Sequence, residues 1–209
     1  MSPAKIARAE RKLTLSEQYK QLTREKLLEA ALKVFSDVGF RAATIDQIAV
    51  AAGTTRTTFY RHFDTKADVA NALGNTVKPL LIALAQRLDQ IEQPDAAQVR
   101  AWLLKWAKVW KQHRALLEIL HDAISSDPSL AAQSVEVIRD LVEEMPRLLA
   151  SFPAEQREKA RMNLVFAFLQ LDLVMYFTEV RPAQLPKADH FEVLTELWLK
   201  TLRPAGLPR

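Results

Sequence analysis

Cysteine is absent from the 209 residues. Neither a disulfide frame nor a thiolate metal site is therefore available, which fits a reducing compartment. Glycine is scarce, at four residues. β-rich runs are few, while alanine and leucine dominate, so an all-helical chain is expected. No Gly-rich phosphate loop, cysteine nucleophile or metal-ligand cluster stands in the sequence, and the four histidines (His62, His113, His121 and His190) are scattered. No catalytic residue, cofactor or metal is expected, and enzymatic chemistry is the weakest reading. His113 and His121 are two helical turns apart, about 12 Å, too far to share one ion. Long apolar runs are also missing. The most apolar stretch, Leu164 to Phe177, is interrupted by Gln170 and Asp172 and is too short to span a bilayer. The basic start MSPAKIARAERK lacks the apolar segment of a signal peptide. A cytoplasmic protein with no membrane partner is the expectation.

What charge there is lies unevenly. Residues 1–66 hold 12 Lys/Arg against 7 Asp/Glu, a net of +5, whereas the whole chain is +4, leaving −1 for residues 67–209. A positive excess at one end suits a polyanionic partner. The length allows one or two compact units with a sizeable core.

The stretch TIDQIAVAAGTTRTTFYRHF, from Thr44 to Phe63, reads as two short helices joined by a tight turn. Thr44 and Gln47 have capping-box spacing, and Ile45, Ile48 and Ala49 fall on one face. Gly53 stands where the first helix stops and positive φ is needed. Thr55, with Thr54 as the alternative, caps the second helix. Phe59 and Phe63 can face inward while Arg56, Thr57, Thr58, Tyr60, Arg61 and His62 face out. That is a helix-turn-helix pattern, whose second helix enters a DNA major groove.

Thr23 to about Leu73 resembles the DNA-binding domain of the TetR family of transcriptional regulators. The resemblance lies in REKLLEAALKVFSDVGF, ATIDQIAVAAG, TTRTTFYRHF and DTKADVANAL. It implies an all-α fold with three parts: a basic extension (1–22), a helix-turn-helix domain (23–73) and a larger helical domain for effector binding and dimerisation (74–209). It also implies a dimer on a palindromic operator in double-stranded DNA, commonly as a repressor released by a small molecule. Residue by residue, Thr44 looks like a phosphate contact. Arg56 and Thr57 match base-reading positions. Thr58, Tyr60, His62 and Lys66 match phosphate-contacting positions, with Tyr60 also near a base. Arg61 and the cap Thr55 share that surface. A helix-turn-helix protein without a small ligand, controlled by a protein partner or acting structurally on DNA, is the alternative.

Residues 1–22 carry Lys5, Arg8, Arg11, Lys12 and Lys20 and read either as a tail or as a DNA-contacting arm. A helix from Thr23 to Val38 follows, ended by Gly39. Another begins near Lys66, capped by Asp64 or Thr65, and Pro79 should kink or interrupt it. Val99, Trp102, Trp106, Trp110 and His113 make a stripe that is either packed core or the lining of a ligand cavity. Asp127 and Pro128 open a helix reaching about Ala150, bent by Pro146 near its end. Glu155 to about Val180 is a long helix, apolar nearly all round, which requires cover on every side. With the helix near Ala188 to Leu202 it resembles the family's dimer-forming pair. The candidate effector contacts are Trp102, Trp106, Trp110, His113, Phe166, Gln170, Met175 and Tyr176, suited to a hydrophobic or aromatic ligand. Asp172 is either structural or a further contact.

Overall fold

The computed structural model describes residues 14–203. Among these every regular element is helical: α1 Leu15–Ala42, α2 Ile45–Ala51, α3 Arg56–Tyr60, α4 Lys66–Gly74, α5 Lys78–Asp89, α6 Ala96–Gln112, α7 Arg114–Ser126, α8 Pro128–Glu143, α9 Pro146–Ser151, α10 Arg157–Met175 and α11 His190–Thr201. The basic residues Lys5, Arg8, Arg11 and Lys12 lie outside the described residues.

Caps written into the sequence set most helix starts. Thr44 with Gln47, Thr65 with Asp68 and Asp95 with Gln98 form reciprocal capping boxes, while Thr55 accepts from the Thr58 N–H. Glycine ends helices where positive φ is needed, at Gly39 (φ 79°) and Gly53 (φ 65°).

Three boundaries differ from expectation. α1 starts at Leu15, two turns before Thr23, because Thr14 and Glu17 form a further capping box. Pro79 does not bend one helix: it sits in the first turn of α5, after a break at 75–77. Pro146 likewise opens α9 and does not bend α8. Proline fits there because a first-turn residue has no intrahelical N–H bond to lose. The α9 N-terminus instead receives a distant carboxylate. Asp89, 5% exposed, accepts the N–H groups of Leu148 (2.7 Å) and Arg147 (3.3 Å).

Two apolar cores form. One gathers α1 to α4 around Leu27, Phe35, Ile48, Phe59, Phe63 and Val69. The other gathers α5, α6 and α8 to α11 around Trp102, Trp106, Phe168, Leu171 and Trp198. α7 belongs to both: Leu116, Ile119 and Ala123 pack into the first, Leu117 into the second.

α10 runs on through a wide turn, Tyr176–Val180, so that Ala154–Val180 holds a stretch long enough and apolar enough to cross a membrane by length and composition. This corrects the expectation of a run too short to do so. One face of it is core. On the other, Met162, Phe166, Leu169, Leu173 and Phe177 are exposed at helical spacing, beside Val193 and Leu197 of α11.

Candidate nucleic-acid interface and effector cavity

α2 and α3 present one polar surface. Thr44, Thr55, Arg56, Thr57, Tyr60 and Arg61 are exposed there, and Thr58 is half-buried. The Arg56 guanidinium is aimed by two neighbours: it donates to Asp46 Oδ2 at 2.9 Å and to the Tyr60 hydroxyl at 3.1 Å. Tyr60, then Asp46, hold it more firmly in its charged form. Thr44 and Thr55 are engaged as caps through their side-chain oxygens. Thr44 keeps its exposed place at a helix N-terminus, where the helix dipole favours an anion.

His62 is half-buried with its Nδ1 unmatched. Burial lowers its pKa, and the cations of Lys20, Arg24 and Arg61 lower it further. Arg24 donates to the His62 carbonyl at 3.0 Å and lies 4.1 Å over the Phe63 ring. The early turns of α1 thus add positive charge beside α3. The sequence signal for this was Thr14-x-x-Glu17, which extends the helix back past Lys20.

Lys66, expected at a phosphate, is engaged within the protein. Its ammonium donates to the carbonyls of Phe40 (2.7 Å), Arg41 (2.9 Å) and Ala43 (3.1 Å). All three protons are spent on the end of α1, so a phosphate contact would require giving one up. Burial lowers its pKa, against the opposing pull of Asp122 and Asp127.

A cavity of about 430 Å³ lies between α4, α5, α6, α7, α8 and α10. Of the eight expected contacts only Trp106 and Trp110 line it. Trp102 is core, donating from Nε1 to the Leu84 carbonyl at 2.8 Å. Met175 is fully buried, whereas Phe166 is 60% exposed and Gln170 is exposed on the same helix. His113 stands at the α6–α7 junction. Tyr176 approaches only indirectly, stacked on His121 with ring centroids 4.1 Å apart. The helical stripe gave the face that turns inward but not which side of each ring meets the gap. Among the wall residues not foreseen as contacts are Asn71, Leu120, His121, Gln133, Ser134 and Phe168; Asp172 is there too. Among the described residues no group of three His, Cys, Asp or Glu is placed to hold a metal ion.

Residues 27–73 match the family model described as bacterial regulatory proteins, tetR family. The transcriptional regulator SrpR of Pseudomonas putida is 39% identical over 83 residues, covering 38% of this chain and 34% of that protein. The probable acrEF/envCD operon repressor of Escherichia coli K12 is 30% identical over 118 residues, covering 54% and 53%. The chain thus spans between a third and about half the length of these relatives. Two solved structures share the fold over nearly the whole chain. Thermus thermophilus FadR, a transcriptional repressor in complex with lauroyl-CoA, superposes with a TM-score of 0.58 at 22% identity, covering 89% and 99%. SmeT, repressor of the Stenotrophomonas maltophilia efflux pump SmeDEF, gives 0.57 at 19%, covering 88% and 89%.

Proposed function

We propose that the chain, whose residues 27–73 match the tetR family model, is a regulator of that family: a repressor that binds a palindromic operator as a homodimer and leaves it when a small apolar or aromatic ligand enters the cavity. It works as a binding protein in the cytoplasm and not as an enzyme.

In this reading Arg56 and Thr57 contact base edges, with Arg56 bonding a guanine through two parallel donors. Thr44, Thr58, Tyr60, Arg61 and His62 contact phosphates and set the register. Lys66 acts from behind by tying the end of α1 to the start of α4. The exposed apolar face of α10 and α11 is covered by a second copy, which also supplies the second recognition helix.

The observation that carries ligand release is the position of α4. Its C-terminal half, at Ala70, Asn71 and Gly74, forms cavity wall, while its first residue, Lys66, grips the α1–α2 corner. A ligand that favours a different position of α4 therefore favours a different placement of the recognition helix, and affinity for the operator falls in proportion to that preference. The same cavity favours this reading over regulation without a small ligand.

The test is selection of bound sequences from a random DNA pool at two salt concentrations. A palindrome with steep salt dependence is expected. Sedimentation of wild type and Phe166→Glu then tests the dimer: the variant should be monomeric and bind the selected site weakly. Failure to enrich any site, or a Phe166→Glu variant that remains dimeric, would count against the reading.

A further inference from the structure

The cavity wall is mostly aliphatic and aromatic, so its few polar groups decide what else a ligand must carry. Lys78 is the one cation on it, and its ammonium is committed to Asp140 at 2.6 Å. Ser134 donates back to the Ala131 carbonyl of its own helix at 2.8 Å. The unmatched indole N–H of Trp106 stands among the rings of Trp102 and Phe168. Beside the amides of Asn71 and Asn75, two further wall acceptors bear on the choice. Gln133 Oε1 is buried without a partner. Asp172 has its Oδ2 3.1 Å from His121 Nε2, but the imidazole makes no hydrogen bond along that line. The Asp172 carboxylate is half-exposed, so water meets part of its charge, whereas the buried Gln133 Oε1 has no donor at all, and a buried acceptor without one costs stability.

We infer that the ligand is an apolar or aromatic molecule bearing a protonated amine, which sits against the Asp172 carboxylate and donates to Gln133 Oε1. The amine supplies the missing donors and the missing positive charge together. Trp106, Trp110 and Phe168 take the apolar body, and their ring faces also attract a cation. The wall offers no arginine and no uncommitted lysine, so a carboxylate or phosphate ligand would meet Asp172 without compensation. This inference rests on the cavity being the effector site.

Isothermal titration of the purified full-length protein with phenylhexylamine, phenylhexanol and phenylhexanoate tests it, since the three differ only in the head group. The amine should bind about tenfold or more tighter than the alcohol, and the carboxylate weakest. Asp172→Asn should remove the preference for the amine and leave the alcohol unchanged. The ranking in wild-type protein stands as a test even if the variant does not fold. Equal binding of amine and alcohol, tightest binding of the carboxylate, or an amine preference that survives Asp172→Asn overturns the inference while leaving the cavity as an effector site. Binding of none of the three overturns both.

Discussion

Asp122 of α7 accepts the backbone N–H of Phe40 at 2.9 Å, one residue along from His121, which lines the cavity. Phe40 is thereby held from both sides, because its carbonyl accepts from Lys66. Replacing Asp122 with Ala removes the one polar contact that, among the described residues, ties α7 to the end of α1. A loss of about 1–2 kcal/mol in chemical denaturation is expected, together with a weaker effect of ligand on operator affinity. A variant with wild-type ligand response would show that the signal travels elsewhere.

Arg56→Ala should relax base preference at one position of each half-site by about 1–3 kcal/mol, measured by competition between operator variants. Arg56→Lys should not restore it, since an ammonium lacks the planar pair of donors. Uniform weakening across all sequences would instead reassign Arg56 to the phosphates.

His62 gives stability and DNA binding opposite pH dependences. Its folded-state pKa lies below the ordinary imidazole value of 6.5. As pH falls through 6.5 the unfolded chain takes up a proton before the folded one does, so the stability from neutral His62 is full above 6.5 and declines below it. Under the proposed function a phosphate beside His62 would favour the imidazolium, so binding would take up a proton and operator affinity should rise as pH falls. His62→Gln should flatten both trends in thermal melting and in DNA titrations. A pH dependence unchanged in that variant would place the titration on another group.

The two glycines flanking the recognition unit should respond oppositely to alanine. At Gly53, φ is 65° and a Cβ would meet nothing within 4 Å, so the cost is purely conformational, about 1–2 kcal/mol. At Gly74 the Cβ would stand 3.5 Å from Leu120 Cδ1, an ordinary contact. There alanine should gain about 0.5–1 kcal/mol by its better helix propensity. Melting temperatures of the two variants check the pair.

The features legible from sequence were those set within a few residues. Thr44 with Gln47, Thr55 before Thr58 and the sign of φ at Gly53 are local decisions, and each stands as read. The Trp stripe was legible as an inward face, but the split between Trp102 in the core and Trp110 at the cavity depends on where α8 and α10 pass. Lys66 and Asp122 were beyond reach for the same reason. Their partners lie 23 to 26 residues and 82 residues away in the chain, and no spacing rule connects them.

Leu169 and Leu173 stand at once on the cavity wall and on the outward apolar face of α10. Whatever covers that face also sets how the cavity is closed on that side. Under the proposed function, subunit pairing and ligand occupancy would become linked equilibria, each altering the other's constant by the same factor. Apparent ligand affinity would shift with protein concentration, and titrations in dilute and concentrated solution would disagree in a calculable way. The number of copies in a cell would then help set the ligand level at which the switch turns.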